Sequence, residues 1–290
     1  MEKLYCFGVE VLRSEIPAEE LFFALEMNYS SYEDLESGGF FHTFYASSEA
    51  ERHLFLEKFS RFAALWEKEF NVKLSAPKLF TLAKEDWANA WKKYFHPIEI
   101  SDRLLIRPSW LNDPPKPGQK VLTIDPGMSF GTGQHATTLF CLQQIDRLAA
   151  ENDITSMLDA GCGSGILSIA AALSGIKVID AFDNDPDAVK IAKENCELNR
   201  QNINIFTADA AVYPGRSDKY DLVCANILAH LLSKFKNNIA TWVKPGKFLV
   251  LSGILSTEYR ALADEYTSLG FEQLRNGTLK EWTSGLFRKL

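Results

Sequence analysis

Residues that bind metals or form cross-links are scarce in this chain. Its 290 residues include five cysteines and five histidines. No two cysteines stand as C-x-x-C, and the histidines are scattered, so neither a structural zinc site nor a disulfide framework is expected. Cys6, Cys141, Cys162, Cys196 and Cys224 read as reduced thiols of a cytoplasmic protein, with no metal. No apolar run approaches the roughly 18–20 residues of a membrane span. The segment Met1 to Phe7 lacks the apolar core of a secretory signal. Excess positive charge is also missing. A net charge of −7 argues against a general nucleic-acid binder. There is no internal repeat and no low-complexity tail. What remains, 46% hydrophobic and 24% charged residues, is ordinary for a globular protein, and the length allows two domains or one large one.

The charge is uneven. Residues 1–51 hold eleven acidic residues against Lys3 and Arg13. Such a front end could steer a basic partner, or it could simply be a solvated surface. The first 80 residues read as a small α+β unit. Lys3–Leu12 is strand-like, Pro17–Met27 helix-like, and Gly39–Ala46 aromatic and strand-prone. Glu49 to about Glu69 is a helix capped by Ser47 or Ser48, and Asn71–Leu82 is a further strand. The order β-α-β-β-α-β predicts a split-βαβ sandwich. Lys84–Phe95 predicts a connecting helix on which Trp87 and Trp91 share a face, for packing or for a ligand. A strand pair at 98–100 and 103–108 and a rigid Pro-rich loop at 112–118 follow. The resulting division is 1–83 as a recognition domain, 84–98 as linker, and 99–290 as the larger domain.

From about residue 120 strands and helices alternate. Predicted strands are 121–124, 156–159, 178–183, 204–207, 222–225 and 248–252; predicted helices are 134–150, 166–174, 186–200, 229–241 and 257–269. Repeated βα units imply a mostly parallel, doubly wound sheet, whose ligands bind at the carboxyl ends of the strands. One such end carries Leu158-Asp159-Ala160-Gly161-Cys162-Gly163-Ser164-Gly165. The glycines let a ligand approach the backbone, and the helix that follows aims free N–H groups at it. A dinucleotide site usually reads G-x-G-x-x-G, whereas the third position after Gly163 here is Ile166. Asp159 can fix the loop or, through water, face a ligand's ammonium group. Gly161 and Gly163 admit the ligand, and Gly165 lets the helix pack close to the sheet. The next strand ends in Asp183, 22 residues beyond Gly161, where a carboxylate can accept both hydroxyls of a ribose. Asn184 or Asp185 caps the helix after it. Asp209 is a turn residue or lies at an adenine rim. A further strand ends in Asn226, whose side-chain carbonyl can accept from an amine or whose side chain can cap the next helix.

The motif Asp-x-Gly-x-Gly-x-Gly resembles the cofactor loop of S-adenosylmethionine-dependent methyltransferases. The stretch Asp125-Pro126-Gly127-Met128-Ser129-Phe130-Gly131-Thr132-Gly133-Gln134-His135-Ala136-Thr137-Thr138 narrows the likeness, together with Asn226-Ile227-Leu228-Ala229, Leu251-Ser252-Gly253-Ile254-Leu255 and Glu281-Trp282. Over roughly 84–290 the chain is similar to the ribosomal protein methyltransferase family of the PrmA type, which methylates ribosomal protein eleven of the large subunit. A small departure is Ser129, where alanine is common before Phe-Gly-Thr-Gly. The resemblance implies a class I methyltransferase domain, an N-terminal ferredoxin-like domain that grips the ribosomal protein, and S-adenosylmethionine as cofactor. It also implies Thr138, Gly161, Asp183 and Asn226 as cofactor contacts, and methylated lysine and α-amino nitrogens as products. With Asp159 and Gly163 from the loop, these make the candidate site, and Asn226 is its catalytic candidate. A neighbouring family that methylates glutamine carries Asn-Pro-Pro-Tyr where this chain has Asn226-Ile227-Leu228-Ala229, a slot better suited to an aliphatic amine.

The implied chemistry is an in-line displacement by a neutral amine. A free lysine has a pKa of about 10.4, so at pH 7 neutralising it costs about 4–5 kcal/mol. Desolvation lowers that cost, and alignment contributes several kcal/mol more. His135 is either a base or an organiser of the Thr137/Thr138 segment. The rival readings are a nicotinamide oxidoreductase, a methyltransferase for another protein, a small amine or RNA, and a binding protein without turnover. The expected partner is a large-subunit ribosomal protein, with no direct nucleic acid and no membrane; the oligomeric state is open, with a monomer favoured.

Overall fold

The computed structural model describes residues 3–13, 22, 25, 27, 29–34, 39–83, 96–125 and 135–290. The chain divides into two compact units, Met1–Phe95 and His96–Leu290. The expected helix at 17–27 (apart from Phe22, Leu25 and Met27), the linker helix at 84–95 with its two tryptophans, and 126–134 of the long motif lie outside the described residues.

In the first unit the strands are β1 (Lys3–Arg13), β2 (Tyr29–Asp34), β3 (Gly39–Ala46), β4 (Lys73–Leu74) and β5 (Lys78–Ala83), with helix α1 (Glu49–Phe70) between β3 and β4. The sheet runs β2-β3-β1-β4, with β5 also paired to β1, and every pairing is antiparallel. Ser48 starts α1. Its hydroxyl accepts from the Glu51 N–H at 3.1 Å, while the Glu51 carboxylate accepts from the Ser47 N–H at 2.6 Å. The strand expected over 71–82 is broken in two. Asn71 ends the helix in the left-handed conformation, and Ser75-Ala76-Pro77 leaves the ladder because proline has no N–H to give it. The core is aromatic. Phe7 stacks on Phe44 at 4.8 Å, and Phe22 meets Phe44 and Trp66 edge-on at 5.3 and 5.7 Å.

The second unit opens with a three-stranded sheet of β6 (Ile98–Ser101), β7 (Leu104–Arg107) and β8 (Lys120–Thr123). The strand expected at 121–124 therefore does not join the large sheet. It pairs in parallel with β7, and its Leu122 and Ile124 bury in one core with Leu104 and Ile106. Asn199 fixes it further, accepting from the Thr123 N–H at 2.7 Å and donating to the Thr123 carbonyl at 2.6 Å.

The large sheet contains β9 (Ser156–Ala160), β10 (Val178–Asp183), β11 (Asn204–Thr207), β12 (Tyr220–Asn226), β13 (Val243–Leu255), β14 (Phe271–Leu279) and β15 (Trp282–Lys289), in the order β11-β10-β9-β12-β13-β15-β14. The first five strands in that order are parallel, and β15 and β14 are antiparallel additions. Side chains alternate between two cores, as a strand buried on both faces requires. Met157, Leu222 and Val250 face α2 (Ala136–Glu151), α3 (Ile166–Leu173) and α4 (Pro186–Leu198). Leu158, Val223 and Leu249 face α5 (Ala229–Lys234), α6 (Lys236–Trp242) and α7 (Ser256–Ser268). The helix expected over 229–241 is thus interrupted at Phe235. No helix among the described residues is long and apolar enough to cross a membrane. The chain runs from β9 outward to β11 and then returns to β12 on the other side of β9. This reversal opens a crevice at the carboxyl ends of β10, β9 and β12.

Candidate functional site

Each of those three ends carries a polar residue that the sequence singled out. Asp159 is the penultimate residue of β9 and is fully buried. The Ser168 hydroxyl, in the first turn of α3, donates to its Oδ2 at 2.6 Å, while Oδ1 has no hydrogen-bond partner among the described residues. Burial raises its pKa from 3.8 to about 6, against the opposing hydrogen bonds from Ser168. The turn that follows is tied to β10, since the N–H groups of Gly161 and Cys162 both donate to the Phe182 carbonyl at 2.9 Å. Gly161 has φ +78°, and a Cβ there would stand 2.4 Å from Ile227 Cγ2. Gly165 serves a different purpose from the one expected. A Cβ on it would meet Ala192 of α4 at 3.1 Å, so it lets two helices approach each other rather than helix and sheet.

Asp183 closes β10 over this turn. The Gly163 N–H donates to its Oδ2 at 2.9 Å and the Asp185 N–H to its Oδ1 at 3.1 Å. Asp185, not Asn184, caps α4, accepting from the Asp187 N–H at 2.9 Å. Asn226 closes β12. It does not cap α5, whose N-cap is Leu228 without a side-chain bond. Its Nδ2 points to the Thr138 hydroxyl at 3.5 Å, and its Oδ1 is buried without a partner among the described residues. Thr138 lies in the first turn of α2 and is itself buried. His135 leads into that helix. Its Nδ1 lies 2.7 Å from the Thr137 hydroxyl, and its ring meets Trp282 edge-on at 5.2 Å.

Beside these groups is a cavity of about 230 Å³ lined by Gly161, Phe182, Asp209, Ile227, Phe235 and Trp242 among others. Asp209 is both turn and rim, since its Oδ1 accepts from the Ala211 N–H at 2.8 Å. A larger open cleft of about 660 Å³ lies at the opposite ends of β10 and β11. It carries none of the sequence motifs. Its buried acid, Asp180, is saturated by Asn204 at 2.7 Å and Tyr220 at 2.6 Å. Two acceptors without donors, an aimed carboxylate and a cavity with aromatic walls thus converge at one end of the sheet. The family model described as Ribosomal protein L11 methyltransferase (PrmA) matches residues 1–289.

The chain belongs to this methyltransferase family.

A ribosomal protein L11 methyltransferase of Geobacter metallireducens is 39% identical over 212 residues, 73% of this chain and 69% of that relative. One from Chloroflexus aurantiacus is 35% identical over 250 residues, 78% of this chain and 76% of that relative. A solved ribosomal protein L11 methylase from Lactobacillus delbrueckii subsp. bulgaricus is similar with a TM-score of 0.61 at 29% identity, covering 68% of this chain and 100% of that one. The α/β, mostly parallel sheet of the second unit is the class I methyltransferase fold that the motifs predicted.

Several parts of the candidate site of this methyltransferase were not visible in the sequence. Ser168 partners Asp159 from nine residues away, across a turn whose path the glycines alone do not specify. Phe235 reaches the cavity from the break between α5 and α6, and Trp242 from the end of α6. The cysteines play no nucleophilic part. All five are buried, and burial holds the Cys141 and Cys196 thiols up at about 12, far from thiolate formation at neutral pH.

Proposed function

We propose that this methyltransferase carries methyl groups from S-adenosylmethionine to the lysine side-chain and α-amino nitrogens of the large-subunit ribosomal protein L11, the protein named for its relatives. The residues suit that donor. Asp183 offers free lone pairs to a ribose diol, and Gly161 and Gly163 leave the backbone open to the chain that links ribose to methionine. The orphaned Asp159 Oδ1 suits an ammonium group, directly or through water, and the aromatic-walled cavity suits a flat base. Thr138, whose hydroxyl meets the Asn226 Nδ2, would contact the donor together with Asn226. Bound there, the donor would supply an electrophilic methyl on a cationic sulfur whose leaving group is a neutral thioether.

The observation that carries the reading is the buried Asn226 Oδ1 without a donor. An acceptor left dry costs about 1–3 kcal/mol, and an incoming amine N–H would restore the bond. With its NH₂ turned to Thr138, the amide presents only its carbonyl, so it orients an amine by one of its hydrogens and leaves the lone pair free to attack. Ile227 and Leu228, in place of Pro-Pro, line the approach with aliphatic surface and lower the cost of a neutral amine by desolvation. The acidic N-terminal region (proposed recognition domain 1–83, joined through 84–98 to a catalytic domain 99–290) would steer a basic ribosomal protein.

Incubation of the full chain with labelled donor and purified L11, read by mass spectrometry, tests the proposal. Stepwise addition of methyl groups to L11 is expected. Asn226→Ala is expected to lose about 100-fold in turnover, the scale of removing one positioned hydrogen-bonding group, while melting within a few degrees of the parent. Parental turnover by that variant removes Asn226 from the reaction.

A further inference from the structure

Asn226 can orient an amine only if its own amide does not rotate. Among the described residues its side chain has one partner, the Thr138 hydroxyl, at 3.5 Å, the long limit of a hydrogen bond. A displacement of a few tenths of an ångström in the first turn of α2 therefore decides whether the amide is held. That turn has no side-chain cap of its own, because the N-cap residue His135 makes no capping bond. The His135 ring does meet the Thr137 hydroxyl at 2.7 Å, and a second tie, to the backbone of the turn, comes from β13.

Ser252 is the cross-strand neighbour of Asn226 in the parallel β12–β13 ladder and is fully buried. Its hydroxyl donates to the Thr137 carbonyl at 3.1 Å. A serine hydroxyl has one proton. With that proton directed at Thr137, the 2.6 Å contact between Ser252 and Ser284 has Ser284 donating. Ser284 is buried on β15, opposite the place where the β13–β15 register shifts between Leu251 and Ile254. Such irregularities re-aim a side chain beside functional sites. The next residue, Gly253 at φ +80°, lies so close to Ile227 that a Cβ would stand 2.5 Å from its carbonyl oxygen. The irregularity thus touches the surroundings of Asn226 on two sides: the helix turn that carries Thr138, and the residue that follows Asn226.

We infer that Ser252, seated by Ser284, is the positioning residue for the Asn226 carboxamide in methyl transfer. It acts through Thr137 and Thr138 and does not touch the substrate. The inference rests on the role given to Asn226 above, and the experiment separates the two. Single-turnover rates and steady-state constants with labelled S-adenosylmethionine and L11 are measured for the full-length parent, Ser252→Ala, Asn226→Ala and the double variant, with melting temperatures alongside. Ser252→Ala is expected to lower kcat about tenfold, less than the roughly hundredfold that a full ångström of misplacement costs. KM for L11 should stay within about twofold, since no substrate contact is lost. In the Asn226→Ala background the serine replacement should cause no further fall. A parental kcat in folded Ser252→Ala, or the same tenfold fall in both backgrounds, overturns the inference. A parental rate in Asn226→Ala overturns the reading beneath it instead. Ser284→Ala keeps the experiment decisive should Ser252→Ala not fold. It removes the seat without touching Ser252, and a loss of about threefold in kcat, absent in the Asn226→Ala background, is expected for a weakened hydrogen bond of this kind. An unchanged kcat there overturns the inference.

Discussion

Replacing Asp159 by asparagine would separate what this buried carboxylate costs the fold from what it does for a ligand. Its carboxyl titrates at about 6 in the folded chain, against 3.8 for an ordinary aspartate, because it is fully buried with only Ser168 donating to it. At about 1.4 kcal/mol per pH unit, holding it ionised costs roughly 3 kcal/mol. The folded state binds the proton more tightly than the unfolded state. Stability from the protonated form is therefore complete below about pH 4 and is lost as pH rises through about 6. An asparagine, always neutral, keeps an acceptor for Ser168 and escapes this loss. Urea unfolding of parent and Asp159→Asn at pH 4 and pH 8 should show near-equal stability at the lower pH. At the higher pH the variant should be more stable by as much as about 3 kcal/mol. Ligand binding should move the other way. A cationic ammonium group near Oδ1 favours the carboxylate, so binding of S-adenosylmethionine at pH 6 should release about half a proton, and at pH 8 almost none. Calorimetry in two buffers of different ionisation enthalpy reads that number, and the variant should release none while binding more weakly. A stability difference that does not vary with pH, or heats that do not depend on the buffer at pH 6, would refute the reasoning.

Asp221 should behave oppositely. Burial pushes its pKa up, but the Thr155 hydroxyl and N–H and the Lys244 ammonium outweigh burial and hold it below the ordinary range. Its contribution is present above about pH 4 and is lost as pH falls below that. Asp221→Asn should cost about 2–3 kcal/mol at pH 7 in urea unfolding, and the cost should shrink in acid; a constant cost would contradict the assignment. Gly161→Ala should lower the melting temperature and abolish measurable donor binding by calorimetry, since its methyl would meet Ile227 Cγ2 at 2.4 Å in a left-handed turn that costs about 1–2 kcal/mol. Parental affinity in that variant would show that the Gly161–Ile227 contact relaxes freely.

The convergence of the candidate residues was largely legible because the parts are local. A strand, a glycine turn and a helix fit within about twenty residues, and the spacing to Asp183 follows from one βα unit. Asn226 was legible for the same reason, as the polar end of an apolar strand. Long-range partners were not. Leu122 and Ile124 satisfy a strand pattern equally well beside β9 or beside β7, and only tertiary pairing chooses. The β14–β15 hairpin escaped because β14 is exposed along nearly all its length after Phe271, which erases the apolar alternation. In β15 the buried positions include Thr283, Ser284 and Gly285, small residues that read as a loop until the Thr283 and Ser284 hydroxyls are seen to be paired. Ser252 stands in a motif that assigns it no role, since nothing in the linear order brings Ser284 to it.

Because main-chain N–H groups hold both oxygens of Asp183, that side chain has no rotamers left to surrender when a nucleoside arrives. On the proposed reading a vicinal diol would meet a fork whose prongs were set during folding. An analogue missing one hydroxyl would then leave a prong dehydrated and empty, so selection at this corner would go by counting hydroxyls rather than by measuring bulk.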